Sequence, residues 1–155
     1  MHNRAKLVEQ LYSSLNRHDY RAMATCYHPA AGFRDIAFDL KGRDQIRAMW
    51  QMICNGHIHS AFEIVRADEA TAVAKLVDEY TFTDTGRRVR NQIESRFRFQ
   101  DGLIIDHRDS CDARVWATAA VGGIGGFLAG RLRFVRAWKA RAKLRRFIRA
   151  SAHSS

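Results

Sequence analysis

Leu7, Val8, Leu11, Tyr12 and Leu15 recur at the i, i+3/i+4, i+7 spacing of a helix with one apolar stripe, so the chain is expected to open with a helix. Residues 16–19 break that pattern, and Asp19 is placed to cap a short second helix carrying Tyr20, Met23 and Tyr27. His28-Pro29 is expected to end it, because the residue before a proline is pushed out of the helical region. A short extended piece, residues 32–38, comes next. From Arg43 the spacing of Ile46, Met49, Trp50 and Ile53 predicts a third helix, stopped at Asn55-Gly56.

Beyond residue 56 the apolar period drops from about 3.6 to 2. Runs over 57–67, 71–84, 88–100 and 103–112 read as strands, separated by turn signals at Asp68-Glu69, Asp84-Thr85-Gly86 and Asp101-Gly102. The last is an Asp-Gly hairpin signal between two long alternating runs. Three helices followed by a curved antiparallel meander define an α+β domain, with the helices on one face of the sheet.

Alternation sorts the strand residues into two faces. Ala74, Leu76, Asp78, Tyr80 and Phe82 share one side, as do Val89, Asn91, Ile93, Ser95, Phe97 and Phe99, and Leu103, Ile105, His107, Asp109 and Cys111. Arg90, Glu94, Arg96, Arg98, Asp106 and Arg108 fall on the other side, as solvated cross-strand pairs. The apolar face should meet the helices, yet it carries Asp78, Tyr80, Asn91, Ser95, His107 and Asp109. Burying an unpaired carboxylate is costly, so these groups must bond one another or line a pocket between sheet and helices. A single β-bulge would invert the parity beyond it.

Length and composition add limits. The chain has 155 residues, of which 46% are hydrophobic and 27% charged, enough for one globular core and too apolar for wholesale disorder. Three cysteines with no close pair (Cys26, Cys54 and Cys111) argue against a disulfide scaffold and for a reducing, cytoplasmic setting, and the first residues lack the apolar core of a signal peptide. The net charge of +10 is local. Residues 1–112 hold 16 basic and 16 acidic residues; residues 113–155 hold 10 basic and no acidic ones. We therefore divide the chain into a domain, 1–112, and a C-terminal extension, 113–155, Gly-rich at first and then basic and helix-forming.

Tyr27-His28-Pro29, Phe33-Arg34-Asp35, Lys41-Gly42-Arg43-Asp44-Gln45-Ile46 and Met49-Trp50, followed by the run Phe97 to Asp109 with its Asp101-Gly102 turn, resemble a SnoaL-like protein of the nuclear transport factor 2-like superfamily. The resemblance covers roughly residues 3–112. It implies a cone: a strongly bent sheet around three helices, with a pocket at the open end and a homodimer as the usual assembly. It also implies roles for residues. Asp35 falls where ketosteroid isomerase has its general base, Ser95 where that enzyme has a protonated aspartate, and Leu11 where it has its oxyanion tyrosine. Leu11 cannot donate a hydrogen bond and Ser95 is the weaker donor, which argues against steroid-type isomerisation. Tyr12 stands about 100° further round the helix and is not a free substitute for Leu11. His107 and Asp109 match the His-x-Asp of the final strand, where the aspartate is the acid/base of the cyclases.

The candidate catalytic residues are thus His107, Asp109 and Asp35, with Tyr27, Trp50, Asp78, Tyr80, Asn91, Ser95 and Phe97 as candidate ligand-binding residues. A histidine beside a carboxylate is suited to proton transfer near neutrality, but the same pair can be a satisfied polar couple inside a core. His57-x-His59 lacks further ligand spacing, so no metal is expected, and the Gly122–Gly126 stretch fits no nucleotide loop, so no cofactor is expected. Three function classes stay open. One is a cofactor-free isomerase, cyclase or hydrolase acting on a small apolar molecule; another is a non-catalytic ligand-binding or protein-interaction module. The third is a peripheral protein held on an anionic membrane surface by the basic extension. Nucleic acid is the weakest partner, because no stacking platform or motif accompanies the charge. We expect the extension to dock over the pocket or onto a second subunit.

Overall fold

A computed structural model describes residues 3–82, 85–121 and 143–151. The chain runs α1 (Asn3–Asn16), α2 (Tyr20–Ala24), β1 (Tyr27–Arg34), β2 (Asp39–Lys41), α3 (Arg43–Cys54), β3 (His59–Ala67), β4 (Thr71–Phe82), β5 (Arg87–Gln100), β6 (Leu103–Ser110) and α4 (Ala113–Val121), and residues 143–151 are helical. The strands form one curved, open sheet in the order β2-β1-β6-β5-β4-β3. The arrangement is the α+β, nuclear transport factor 2-like fold.

Local chemistry explains most boundaries. The Asp19 carboxylate accepts the Ala22 N–H at 3.0 Å and caps α2. The Asp68 carboxylate accepts the N–H groups of Ala70 and Thr71, each at 2.8 Å, and closes the β3–β4 turn. Asp101 and Gly102 both take positive φ, 53° and 77°, as a two-residue hairpin turn between twisted strands requires. The Val8, Leu11, Tyr12 and Leu15 stripe of α1 is buried together with Ile46, Met49 and Trp50 of α3, against Ala72, Ala74, Leu76 and Phe97 of the sheet. Leu144, in the 143–151 helical stretch, joins the same core.

Three expectations need correction. The second helix ends at Ala24, and Tyr27 opens β1 instead of lying on that helix. His28-Pro29 therefore sits inside β1, where the register against β6 slips between Tyr27 and Gly32, an irregularity that tolerates a proline without an N–H. The sheet is also not a pure meander. β1 pairs with β6 in parallel, because the chain returns through α3, β3, β4 and β5 before β6 lies down beside it.

The third correction concerns β6. Phe99 pairs with Ile104 while Arg98 pairs with Asp106, so Ile105 is an extra residue on that strand. Consequently Ile104 is buried, whereas Ile105, assigned inward by simple alternation, is only partly covered. Past the bulge the alternation resumes, with His107 buried and Arg108 exposed. On the outer face, Arg90 pairs with Glu79 and Arg98 with Asp106 across strands, at 3.6 and 3.5 Å. Such exposed pairs contribute at most about 1 kcal/mol each.

The Gly-rich stretch and the first part of the basic helix expected in the C-terminal extension lie outside the described residues. No helix among the described residues is long and apolar enough to cross a membrane.

Candidate active site

Register places the polar residues in rows across the inner face. Ser60, Asp78 and Asn91 stand opposite one another on β3, β4 and β5. Four residues further, Ala74, Ser95 and Asp109 form a second row across β4, β5 and β6. The next row on this face holds Ala72, Phe97, His107 and Phe33. Residues two apart in a strand share a face, so these rows stack on the side covered by α1 and α3.

His107 is the centre of this arrangement and is 0% exposed. Phe97 and Phe33 lie 4.3 and 4.8 Å from it between ring centroids, and the Tyr27 and Trp50 rings stack at 6.0 and 6.4 Å. Both of its nitrogens are engaged: Nδ1 meets the Tyr27 hydroxyl at 2.8 Å, and Nε2 meets Asp109 Oδ1 at 2.8 Å. Trp50 Nε1 donates to the Tyr27 hydroxyl at 3.1 Å. From the other side, Ser95 Oγ donates to Asp109 Oδ1 at 2.5 Å and itself accepts the Tyr12 O–H at 2.7 Å. Six side chains from α1, α3, β1, β5 and β6 thus form one connected network.

Two further carboxyls share the face. Asp35, just after β1, accepts the N–H groups of Ala37 and Phe38 at 2.7 and 2.6 Å. Burial nevertheless pushes its pKa up to about 6, with the Asp109 charge adding to the rise and the backbone bonds and His107 opposing it. Asp78 is 7% exposed, and burial pushes it up to about 7, Ser60 opposing and the Asp109 charge reinforcing. Among the described residues Asp78 Oδ1 and Ser60 Oγ are buried without a hydrogen-bond partner of good geometry. Tyr80 is pushed up to about 12, first by burial, with the Trp116 hydrogen bond opposing and Asp78, Cys111 and Asp35 adding to the rise. Its hydroxyl accepts from Trp116 Nε1 of α4 at 2.5 Å, so the start of the extension closes against the end of the sheet.

The candidate residues therefore separate by position. His107, Asp109 and Ser95 are directly bonded; the Asp109 charge reaches Asp35 and Asp78, and the charges of those two reach the neutral Tyr80 phenol. Tyr27, Trp50 and Phe97 are packed behind His107, and Asn91 is buried beside Asp78 in register. The Asp109 side chain keeps 13% exposure, and Asp35 and Tyr80 are also only partly covered. Tyr12 is the member that sequence reasoning set aside. Its place in the α1 apolar stripe with Val8 and Leu15 is the signal that it faces the sheet. The Cys26 and Cys54 thiols are pushed up by burial to about 12 and about 11, which keeps them protonated and unreactive. Among the described residues no group of three His, Cys, Asp or Glu is placed to hold a metal ion.

With the fold and this geometry in view, comparison with known proteins gives the class. The family model for the SnoaL-like domain matches residues 8–107, and the chain belongs to that family. No curated protein matches its sequence. Similar solved structures include a LEH-like epoxide hydrolase from M. tuberculosis, 20% identical, covering 84% of this chain and 92% of that one at a TM-score of 0.60. The epoxide hydrolase/cyclase-like enzyme SalBIII, described in pyran ring formation in the polyether salinomycin, is 16% identical over 70% of this chain and 89% of its own, with a TM-score of 0.64. A protein from Catenulispora acidiphila with a ketosteroid isomerase-like fold, in complex with trimethylamine, is 13% identical over 74% and 92%, with a TM-score of 0.65. At these identities the likeness is one of fold.

Proposed function

We propose that this SnoaL-like protein is an enzyme doing cofactor-free acid/base chemistry on a small, largely apolar molecule that carries a ketone or epoxide oxygen. Asp109 is the base. Its Oδ1 takes both described hydrogen bonds, from His107 and Ser95, which holds the carboxyl in one orientation while the side chain keeps contact with the exterior. Asp78 is the acid: burial and the Asp109 charge lift it to about 7, so a substantial share keeps its proton near neutrality, whereas Asp35, at about 6, is largely ionised there and assists as a second base. The observation that carries this reading is geometric: three carboxyls share one apolar face, Asp109 held by His107 and Ser95 and the other two buried close enough to feel its charge. Its chemical products are an isomerised ketone, a closed ring or an opened epoxide, according to the ligand.

A ligand-binding module without catalysis is the second reading, favoured by the complete burial of His107 with both nitrogens satisfied inside the protein. One experiment separates the two. The full chain is incubated with a panel of apolar ketones in D2O and apolar epoxides in 18O-water, and label incorporation is followed by mass spectrometry. The enzyme reading expects incorporation above buffer for at least one class, slowed about 10²- to 10⁴-fold by Asp109→Asn. Incorporation equal to buffer, or equal in wild type and Asp109→Asn, overturns it.

A further inference from the structure

The hydrogen-bond network has a direction, and the direction follows from which groups own protons. Indole Nε1 can only donate, so Trp50 gives its hydrogen to the Tyr27 oxygen. Tyr27 is itself 0% exposed, and its hydroxyl has Trp50 and His107 as its two partners. Among the described residues the phenol proton consequently has one acceptor within reach, His107 Nδ1. An imidazole nitrogen that accepts carries the lone pair, so the ring proton sits on Nε2 and points at Asp109 Oδ1. Turning the ring over would bring carbons to both partners and lose both bonds.

The opposite branch runs the same way. An ionised carboxylate only accepts, so Ser95 spends its single proton on Asp109 and must receive the one from Tyr12. Two donor chains, Trp50–Tyr27–His107 and Tyr12–Ser95, therefore end on the same carboxylate oxygen.

We propose that Tyr27, held in its donor role by Trp50, is a positioning residue that locks His107 in the Nε2–H tautomer and so makes Asp109 the terminal acceptor of the network. If Nδ1 carried the proton instead, the buried phenol proton would have no acceptor, which disfavours that arrangement by roughly ten- to a hundredfold. The lock is a property of the folded protein whether or not it turns anything over. The consequence for Asp109 as a base rests on the function proposed above.

The charged and titratable groups around the imidazole are Asp109 on its own strand, Asp35 after β1, and Tyr27 on β1. None of these offers Nδ1 a second donor. Asp109 holds the same tautomer from the Nε2 side, and what belongs to the phenol and the indole behind it is the lone pair kept on Nδ1.

Nitrogen-15 NMR of the full-length protein, with the His107 resonances assigned by loss in His107→Gln, reads the tautomer directly. At neutral pH the wild type is expected to show a lone-pair Nδ1 and a protonated Nε2, with the minor tautomer at a tenth or less. Tyr27→Phe removes the donor and frees Nδ1 to take a second proton, so the doubly protonated form is expected to rise at least several-fold while Nε2–H stays on Asp109. Trp50→Phe leaves the phenol free to turn and accept, and is expected to lie between the two. Far-ultraviolet circular dichroism and Tm report folding of each variant. Should Tyr27→Phe fail to fold, Trp50→Phe and the wild-type spectrum still decide. Two protonated nitrogens in the wild type, or an unchanged share of Nδ1-protonated imidazole in the folded variants, overturns the lock. Neither result depends on finding a substrate, so its failure and that of the proposed function are told apart.

Discussion

Asp78→Asn is expected to stabilise the protein, and to do so only above a certain pH. Asp78 is 7% exposed in the Ser60–Asp78–Asn91 row, and its pKa rises from 3.8 unfolded to about 7 folded, because burial and the Asp109 charge both oppose ionisation. A carboxyl with a raised folded pKa holds its proton more tightly in the folded state. Its favourable contribution is therefore complete below the unfolded value near 4, falls as pH rises, and is lost once pH passes the folded value near 7. Each tenfold difference in proton affinity between the two states is about 1.4 kcal/mol, so this rise is on the order of 4 kcal/mol between pH 4 and pH 7. Asparagine has nearly the same shape, keeps a polar group opposite Ser60, and never ionises. The variant should match wild type at pH 4 and exceed it by up to about 4 kcal/mol at pH 8. Urea unfolding followed by tryptophan fluorescence at a series of pH values gives the difference directly, and the difference cancels every other titrating group that is unaltered. A constant offset across the range, or a variant weaker than wild type at pH 8, would refute the reasoning.

The bulge in β6 predicts unequal costs for two adjacent isoleucines. Ile104→Ala, in the fully buried position, should lose about 2–5 kcal/mol in urea unfolding, while Ile105→Ala should lose under about 1.5 kcal/mol; equal losses would place the extra residue elsewhere. Tyr12→Phe removes the donor to Ser95 in a buried site and should cost about 1–2 kcal/mol by the same method, with no change expected for an uninvolved phenol.

Most of the fold was legible because its signals are local. The α1 stripe, the Asp19 cap, the alternating strands and the Asp101-Gly102 turn each depend on residues a few positions apart. What escaped depends on distant partners. Tyr27 lies on a strand because β6, nearly eighty residues later, supplies the backbone partner Ile104, and no local propensity reports that. Ile105 is extra only with respect to the register of β5. For the site, alternation did bring Asp78, Ser95, His107 and Asp109 to one face, since the β6 bulge precedes His107 and leaves the later residues in phase. The Tyr12–Ser95 bond joins residues 83 positions apart across a helix and a strand, and Trp116 reaches Tyr80 from beyond the domain boundary drawn at residue 112. Such contacts are products of tertiary packing and leave no periodic trace.

The three carboxyls stand in different surroundings. Asp109 stands between Ser95 on β5 and His107 on its own strand, and both hand it a hydrogen. Asp35 has two backbone N–H groups but also lies within reach of the Asp109 charge, and it settles at about 6. Asp78 faces a serine and an asparagine across the sheet, has a buried oxygen without a well-formed hydrogen bond among the described residues, and settles at about 7. Burial is the largest cause of the rise at both Asp35 and Asp78, the backbone N–H groups at Asp35 and Ser60 at Asp78 oppose it, and the charge of Asp109 raises both. Removing the Asp109 charge should therefore move both acids. Neutralising Asp109 by Asp109→Asn removes one of the causes that raise Asp35 and Asp78, so both should titrate lower, and the pH window of the Asp78→Asn stability difference should narrow from its upper end. An unchanged window in that double comparison would mean that the carboxyls do not sense one another, and that burial alone sets each of them.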